Sequence, residues 1–201
     1  MIQVLAGVNG AGKSSVGGSA ILAAGGNWYN PDAIAQEIHE HFPDRPIREV
    51  NSAVWHEGRR RLQAAIRDDS DFAFETTLGG TSITNTLLDA IAMGIKVNVW
   101  YCGLESPELH MERVAARVAR GGHDIPQDLV RQRYRSSMRN LCRIALGLNR
   151  LAVYDNSLPL GADGKPRIRR VLDVYKGRVL ELEAEMPDWA KPIATVVMSR
   201  R

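Results

Sequence analysis

Gly7-Val8-Asn9-Gly10-Ala11-Gly12-Lys13-Ser14 is the stretch whose reading decides the fold. It has the spacing Gly-x-x-x-x-Gly-Lys-Ser. It follows a short apolar run, Met1-Ile2-Gln3-Val4-Leu5-Ala6, read as a strand. A helix is expected from near Lys13, with Val16, Ala20 and Ala23 inward, weakened by Gly17-Gly18 and ended by Gly25-Gly26. A strand before and a helix after are the context this motif needs. Glycines let main-chain N–H groups turn around anionic oxygens. A helix start adds unpaired donors and the positive end of a dipole. Lys13 brings a charge to the β- and γ-phosphates, and Ser14 a hydroxyl to Mg²⁺. The expected ligand is therefore ATP with Mg²⁺, held by Gly7, Asn9, Gly10, Ala11, Gly12, Lys13, Ser14 and Ser15.

Outward from this loop, strands and helices alternate. Asn27-Trp28-Tyr29 reads as a strand, then helices near 33–41 and 47–67, and a buried strand Phe72-Ala73-Phe74 ending at Glu75. A helix follows over 82–93, and a near-continuous apolar strand over 95–102, as in a sheet covered on both faces. Ser106-Pro107-Glu108 opens the next helix with a capping serine, a proline and an acid, and Gly121-Gly122 stops it. A long helix runs from Pro126-Gln127 to about Leu148, and Leu151–Tyr154 is the last strand of the core. Segments 166–172 and 179–182 flank Lys176-Gly177 as a hairpin. The expected fold is α/β: a three-layer, P-loop kinase-like domain over 1–160 with a mostly parallel sheet. A small C-terminal β-hairpin and tail, 161–201, packs on the same domain.

Ligands of parallel sheets lie beyond the carboxyl ends of the strands, where Asp32 and Glu75 both fall. Asp32 is a candidate base toward an attacking hydroxyl, or a helix N-cap before Ala33-Ile34-Ala35. Glu75 is a candidate for positioning the acceptor, or a solvated strand end.

Of the 201 residues, 44% are hydrophobic and 24% charged, enough apolar surface for a sizeable core. The net charge is only +3, but 21 of the 26 basic residues are Arg. Nine of these lie between 113 and 150, with no Lys and two acids, a local balance of +7. Arg113, Arg117 and Arg120 share one helix face, and Arg131, Arg135, Arg139 and Arg143 recur every fourth residue on the next. Between them lies Gly121-Gly122-His123-Asp124-Ile125-Pro126, so 113–135 reads as a lid. There, Arg117 and Arg120 would meet the transferring phosphate, whereas Arg131 to Arg143 read as a solvated helix edge.

Cys102 and Cys142 read as buried thiols, not a disulfide. His56-Glu57 lacks the second histidine of a zinc helix, so no structural metal is expected. Scattered tryptophans give no platform for single-stranded nucleic acid. The absence of a leader or an apolar run long enough for a bilayer leads to an expected cytoplasmic location, without membrane contact.

Gly7–Ser14, Asn30-Pro31-Asp32, Phe74-Glu75-Thr76-Thr77-Leu78, Gly121-Gly122-His123-x-Ile125-Pro126 and Tyr154-Asp155-Asn156-Ser157 occur in the order of zeta-toxin-like P-loop kinases. Over roughly residues 2–157 the chain resembles that family, in its short branch. The resemblance implies an ATP-dependent kinase acting on an alcohol group of a small acceptor. In the family's well-studied members this is the amino sugar of UDP-N-acetylglucosamine, and a small antitoxin silences the toxin. It implies Lys13 and Ser14 as ATP–Mg²⁺ contacts, Asp32 as base and Glu75 as the acceptor-positioning acid. It implies two phosphate-clamping arginines, with the choice among Arg113, Arg117 and Arg120 open. Two readings compete: a polynucleotide or RNA-end kinase, drawn from the +7 region, and a nucleotide-dependent, non-catalytic switch.

Overall fold

A computed structural model describes residues 1–13, 28–122, 124–161 and 166–199. The helix expected after Lys13, with Ser14 and Ser15, lies outside the described residues, as does His123. Among the described residues, seven strands form one sheet: β1 (Ile2–Ala6), β2 (Trp28–Tyr29), β3 (Phe72–Thr76), β4 (Val97–Gly103), β5 (Arg150–Asp155), β6 (Arg169–Tyr175) and β7 (Arg178–Leu182). Their order is β2-β3-β1-β4-β5-β6-β7, parallel as far as β5 and antiparallel beyond it. The central registers pair Ala6 with both Thr76 and Tyr101. The carboxyl ends of β1 and β3 therefore finish level, β4 runs two residues further, and the Gly7 loop leaves beside Glu75.

Six described helices accompany the sheet: α1 (Pro31–His41), α2 (Ile47–Arg67), α3 (Thr81–Ala92), α4 (Pro107–Val118), α5 (Gln127–Ile144) and α6 (Lys191–Met198). Successive residues of a strand face opposite sides. Ile2, Val4 and Ala6 enter the main core with Leu62, Leu87, Val99, Leu141 and Val153. Leu5 joins Ala73, Trp28 and Trp100 in a separate cluster. Ile2, Val4 and Ala6 on one face of β1 and Leu5 on the other are buried, while Gln3, on the face of Leu5, is half-buried, which accounts for a strand that is apolar but for one residue. Val8 belongs to a third cluster with Val114, Ile125 and Val130, so α4 and α5 grip the start of the phosphate loop.

Three local expectations need correction. The cap of α1 is Asn30, not Asp32: Asn30 Oδ1 accepts from the amides of Asp32 (3.0 Å) and Ala33 (3.2 Å). The physical reason is Pro31, whose fixed φ suits the first helical position and leaves the residue before it as the cap. The long helix stops at Ile144, followed by a 3₁₀ turn (Ala145–Gly147) that seats Gly147 against Ile91. The hairpin's first arm is shifted to Arg169–Tyr175, because Asp173, which looks out of place in a strand, is buried and paired with Arg150 and Arg170. The turn itself sits at Lys176-Gly177, both at positive φ (49° and 74°), as hairpin turns require. The hairpin extends the main sheet, pairing with β5.

Candidate active site

The loop after β1 is shaped by its glycines. Gly10 and Gly12 have φ of +82° and +81°, and a Cβ on them would lie 2.6 Å from the His110 carbonyl and 2.4 Å from Asn156 Nδ2. Only glycine fits on both counts. The loop's carbonyls are claimed by the protein. Asn9 O accepts from His110 Nδ1 (2.8 Å), and Ala11 O from Asn156 Nδ2 (3.0 Å) and Cys102 Sγ (2.9 Å). A loop whose carbonyls are engaged behind it presents amide donors in front, which suits an anion. Because a carbonyl only accepts, the proton of the neutral His110 ring is on Nδ1. Burial lowers the His110 pKa to about 4, aided by the nearby Lys13 and Arg113 charges. Burial likewise pushes the Cys102 thiol up to about 12, so it is a packing group and not a nucleophile.

Lys13 is only 6% exposed. Its Nζ lies 3.4 Å from Val8 O and 3.4 Å from Glu75 Oε1. Glu75 is itself buried, so it is not a solvated strand end, and its Oε2 accepts from Asn30 Nδ2 at 3.3 Å. Asn30 therefore serves twice, capping α1 and orienting Glu75. Asp32 is exposed in the first turn of α1. The loop after Glu75 holds Leu78 at φ +50°, an uncommon conformation for this residue. Side chains of α5 fix it there: Ser137 Oγ donates to Thr77 O (2.6 Å), Ser136 Oγ to Gly79 O (2.8 Å), and Asn140 Nδ2 to Leu78 O (2.7 Å).

Two cavities open at this end of the sheet. One, of about 820 Å³, runs from Gly10 and Gly12 along α4 past Arg113, Arg117 and Arg120 to Asn156 and Leu160. The other, of about 580 Å³, lies between α2, β3 and the start of α5, with Arg48, Trp55, Arg59, Ile125 and Arg133 in its wall. Both are lined by Asn9, Lys13, Asp32 and Glu75. Of the expected site residues, Lys13, Asp32 and Glu75 thus converge at the junction. Arg117 and Arg120 stand in the larger cavity, with Arg113. Gly122 is needed beside Arg117, since a Cβ would lie 2.6 Å from Arg117 Cγ. Arg120 Nε donates to Ala116 O (3.1 Å), and Arg113 Nη2 to Leu158 O (3.4 Å).

The sequence reading missed Arg133. Its Nη1 donates to Asn9 Oδ1 at 2.7 Å, and burial lowers its pKa while the Asp32 charge opposes that shift. Arg131, Arg135, Arg139 and Arg143 are exposed. The signal that separates Arg133 is its phase: it lies two residues off the four-residue series, toward the buried side of α5. Arg48, Asn51, Trp55 and Arg59 were also missed. Their spacing puts them on one face of α2, and Arg59 Nε is buried without a hydrogen-bond partner. Among the described residues, no three His, Cys, Asp or Glu side chains group as metal ligands, and no helix is long and apolar enough to cross a membrane.

The chain and its fold have known counterparts. The family model for zeta toxin matches residues 1–158. The chain belongs to the zeta toxin family. This zeta toxin family member is 32% identical over 133 residues to an uncharacterized protein of Haemophilus influenzae, covering 64% of this chain and 88% of that protein. Its fold is similar to the AvrRxo1-ORF1:-ORF2 complex crystallised with ATP, with a TM-score of 0.66 at 15% identity over 98% of this chain. This chain spans 63% of the length of that one. It is also similar to a structure of the PezAT chromosomal toxin–antitoxin system of Streptococcus pneumoniae, with a TM-score of 0.55 at 13% identity, covering 99% of this chain and 83% of that one. The zeta toxin domain here is thus a P-loop kinase-like fold.

Proposed function

We propose that the chain transfers the γ-phosphate of ATP to a hydroxyl of a small acceptor. The observation that carries this is the meeting of two cavities at Asn9, Lys13, Asp32 and Glu75. A transferase needs donor and acceptor in separate pockets that share a wall. The larger cavity, behind the glycine loop, takes the triphosphate; the smaller takes the acceptor. A structural neighbour crystallised with ATP supports the choice of nucleotide.

In this reading the loop amides and Lys13 hold the phosphates. The positive φ at Gly10 and Gly12, with the loop packed from behind on His110 and Asn156, suits amides turned toward such a group. Asp32 takes the proton of the acceptor hydroxyl, the oxygen forms a bond to the γ-phosphorus, and the bond to the β-bridging oxygen breaks, releasing ADP. The Lys13–Glu75 pair keeps a buried ammonium compensated until phosphate arrives. Glu75 then orients the acceptor. Arg117 and Arg120 neutralise charge on the nucleotide side, in a lid of about residues 113–135, and Arg133 does so at the junction. Mg²⁺, when bound with the nucleotide, would add positive charge at the phosphates, with Ser14 as its protein ligand.

The smaller cavity favours a phosphate-bearing acceptor. Arg48, Arg59 and Arg133 line it, and the Arg59 guanidinium lies 5.9 Å from the centre of the Trp55 ring. With the family, this makes a UDP-N-acetyl amino sugar the first acceptor to try. A small antitoxin is the proposed protein partner, as the toxin–antitoxin neighbour suggests.

The test is incubation with γ-labelled ATP and a panel of nucleotide sugars, nucleosides and RNA 5′ ends. Label on a nucleotide sugar is expected. Label on RNA alone would replace the proposed acceptor, and label on none with ATP bound would point to a switch.

A further inference from the structure

We infer that the segment after residue 158, outside the matched family domain, is a working part of the nucleotide site. Trp189 and Arg169 are positioning residues for the phosphate loop, acting through Asp155 and Asn156. The inference concerns the loop's support and rests on the proposed function only for its consequence in ATP binding.

Asp155 ends β5 and is 2% exposed. A carboxylate so buried must be fully paired, and here the tail supplies one partner to each oxygen. Arg169 Nη2, from β6, donates to Oδ2 at 3.0 Å. Trp189 Nε1, from a 3₁₀ turn (Asp188–Ala190), donates to Oδ1 at 3.2 Å. The same Oδ1 accepts from Ser157 Oγ (2.5 Å) and from Ser157 N (3.2 Å). Ser157 Oγ in turn accepts from Glu105 N (2.9 Å), ahead of α4. The backbone on either side of Asn156 is therefore pinned from the tail.

Asn156 carries that constraint to the loop. Its N donates to Gly103 O (3.1 Å), and its Nδ2 to Ala11 O (3.0 Å), against Gly12. Its Oδ1 is buried without a hydrogen-bond partner. Buried amides usually satisfy both ends, so the position of this one is dictated by Ala11 rather than by its own needs. Trp189 acts on a second support as well. Its ring covers Gly103, where a Cβ would lie 2.4 Å from the indole. The next residue back, Cys102, donates Sγ–H to Ala11 O (2.9 Å) and sets its carbonyl against Gly7. Both groups that hold Ala11 thus rest on strand ends that Trp189 covers or bonds.

The test uses Trp189→Phe, which keeps a ring over Gly103 but removes the N–H, with Arg169→Gln as a second route to Asp155 and Arg169→Lys as the conservative control. Hydrogen exchange at the amides of residues 7–13, read on the full chain without nucleotide, is expected to quicken in W189F and R169Q while β1 and β3 stay protected. KM for ATP should rise by about tenfold, the usual scale for groups supporting a site from behind, with acceptor KM unchanged and R169K near the parent. Unchanged exchange at residues 7–13 in both variants would overturn the inference. So would exchange rising equally across β1 and β3, the sign of a purely structural role. A parent that binds no ATP would sink the proposed function, while the exchange result would still decide this inference.

Discussion

At the residue scale, the site depends on buried polar groups whose partners are chosen in advance. His110 is the clearest. It is 1% exposed, donates to Asn9 O, and has its pKa held near 4 by burial, below the ordinary 6.5. The fold favours the neutral ring, so the unfolded chain takes up the proton first. Stability from this group is complete above pH 6.5 and is lost as the pH falls toward 4; by pH 5 the loss is about 2 kcal/mol. Urea midpoints at pH 7.5 and pH 5 should separate in the parent and draw together in His110→Gln. Equal separation in the two proteins would show that His110 titrates normally. Arg133 is the second residue-scale case. Replacing it with Ala should slow transfer by on the order of 10²-fold or more, as for removal of a preorganised donor. A variant with the parent's turnover under saturating ATP would leave Arg133 a structural partner of Asn9.

At the element scale, legibility followed periodicity. Helix α2 was readable over 47–67 because its apolar positions recur with helical spacing and keep Val50, Val54 and Leu62 inward. The phosphate loop was readable because its glycines are dictated by backbone conformation, a local property. The four-residue series on α5 was conspicuous for the opposite reason: it marks the exposed edge. The phase of Arg133 marks it as off that edge, but not what it meets: it packs on Gly79, some fifty residues earlier in the chain and brought close only by folding. Asn30 was hidden behind Asp32, the more familiar chemical group. Helix α6 escaped because Ile193–Met198, short and rich in β-branched residues, has no decisive period. Two substitutions on α5 separate its faces. Leu141→Ala, at a fully buried site, should cost about 2–5 kcal/mol. Arg139→Ala, on the exposed edge, should stay within about 0.5 kcal/mol. Chemical denaturation measures both, and similar losses would contradict the assignment of faces.

At the scale of the whole molecule, the parallel sheet does the organising. The adjacent carboxyl ends of β1, β2 and β3 set the glycine loop, the start of α1 and Glu75 around one junction, and the helices wall off a cavity on each side. A ligand site beyond the strand ends was foreseeable from the fold; the shared wall of the two cavities and the arginines of the smaller one were not, since they arise from helices packed at a distance. The tail, which looks like an appendage in sequence, completes the sheet through β6 and β7 and reaches back to Asp155. In the proposed reaction Asp32 stands between the two cavities, reaching the acceptor hydroxyl but not holding the nucleotide. The most direct measurement is ATP affinity by calorimetry beside single-turnover transfer from γ-labelled ATP, in the parent and in Asp32→Ala. Parental ATP affinity is expected, with transfer reduced by about 10²–10⁴-fold, the usual contribution of a positioned base. Transfer at the parental rate in D32A would contradict that role.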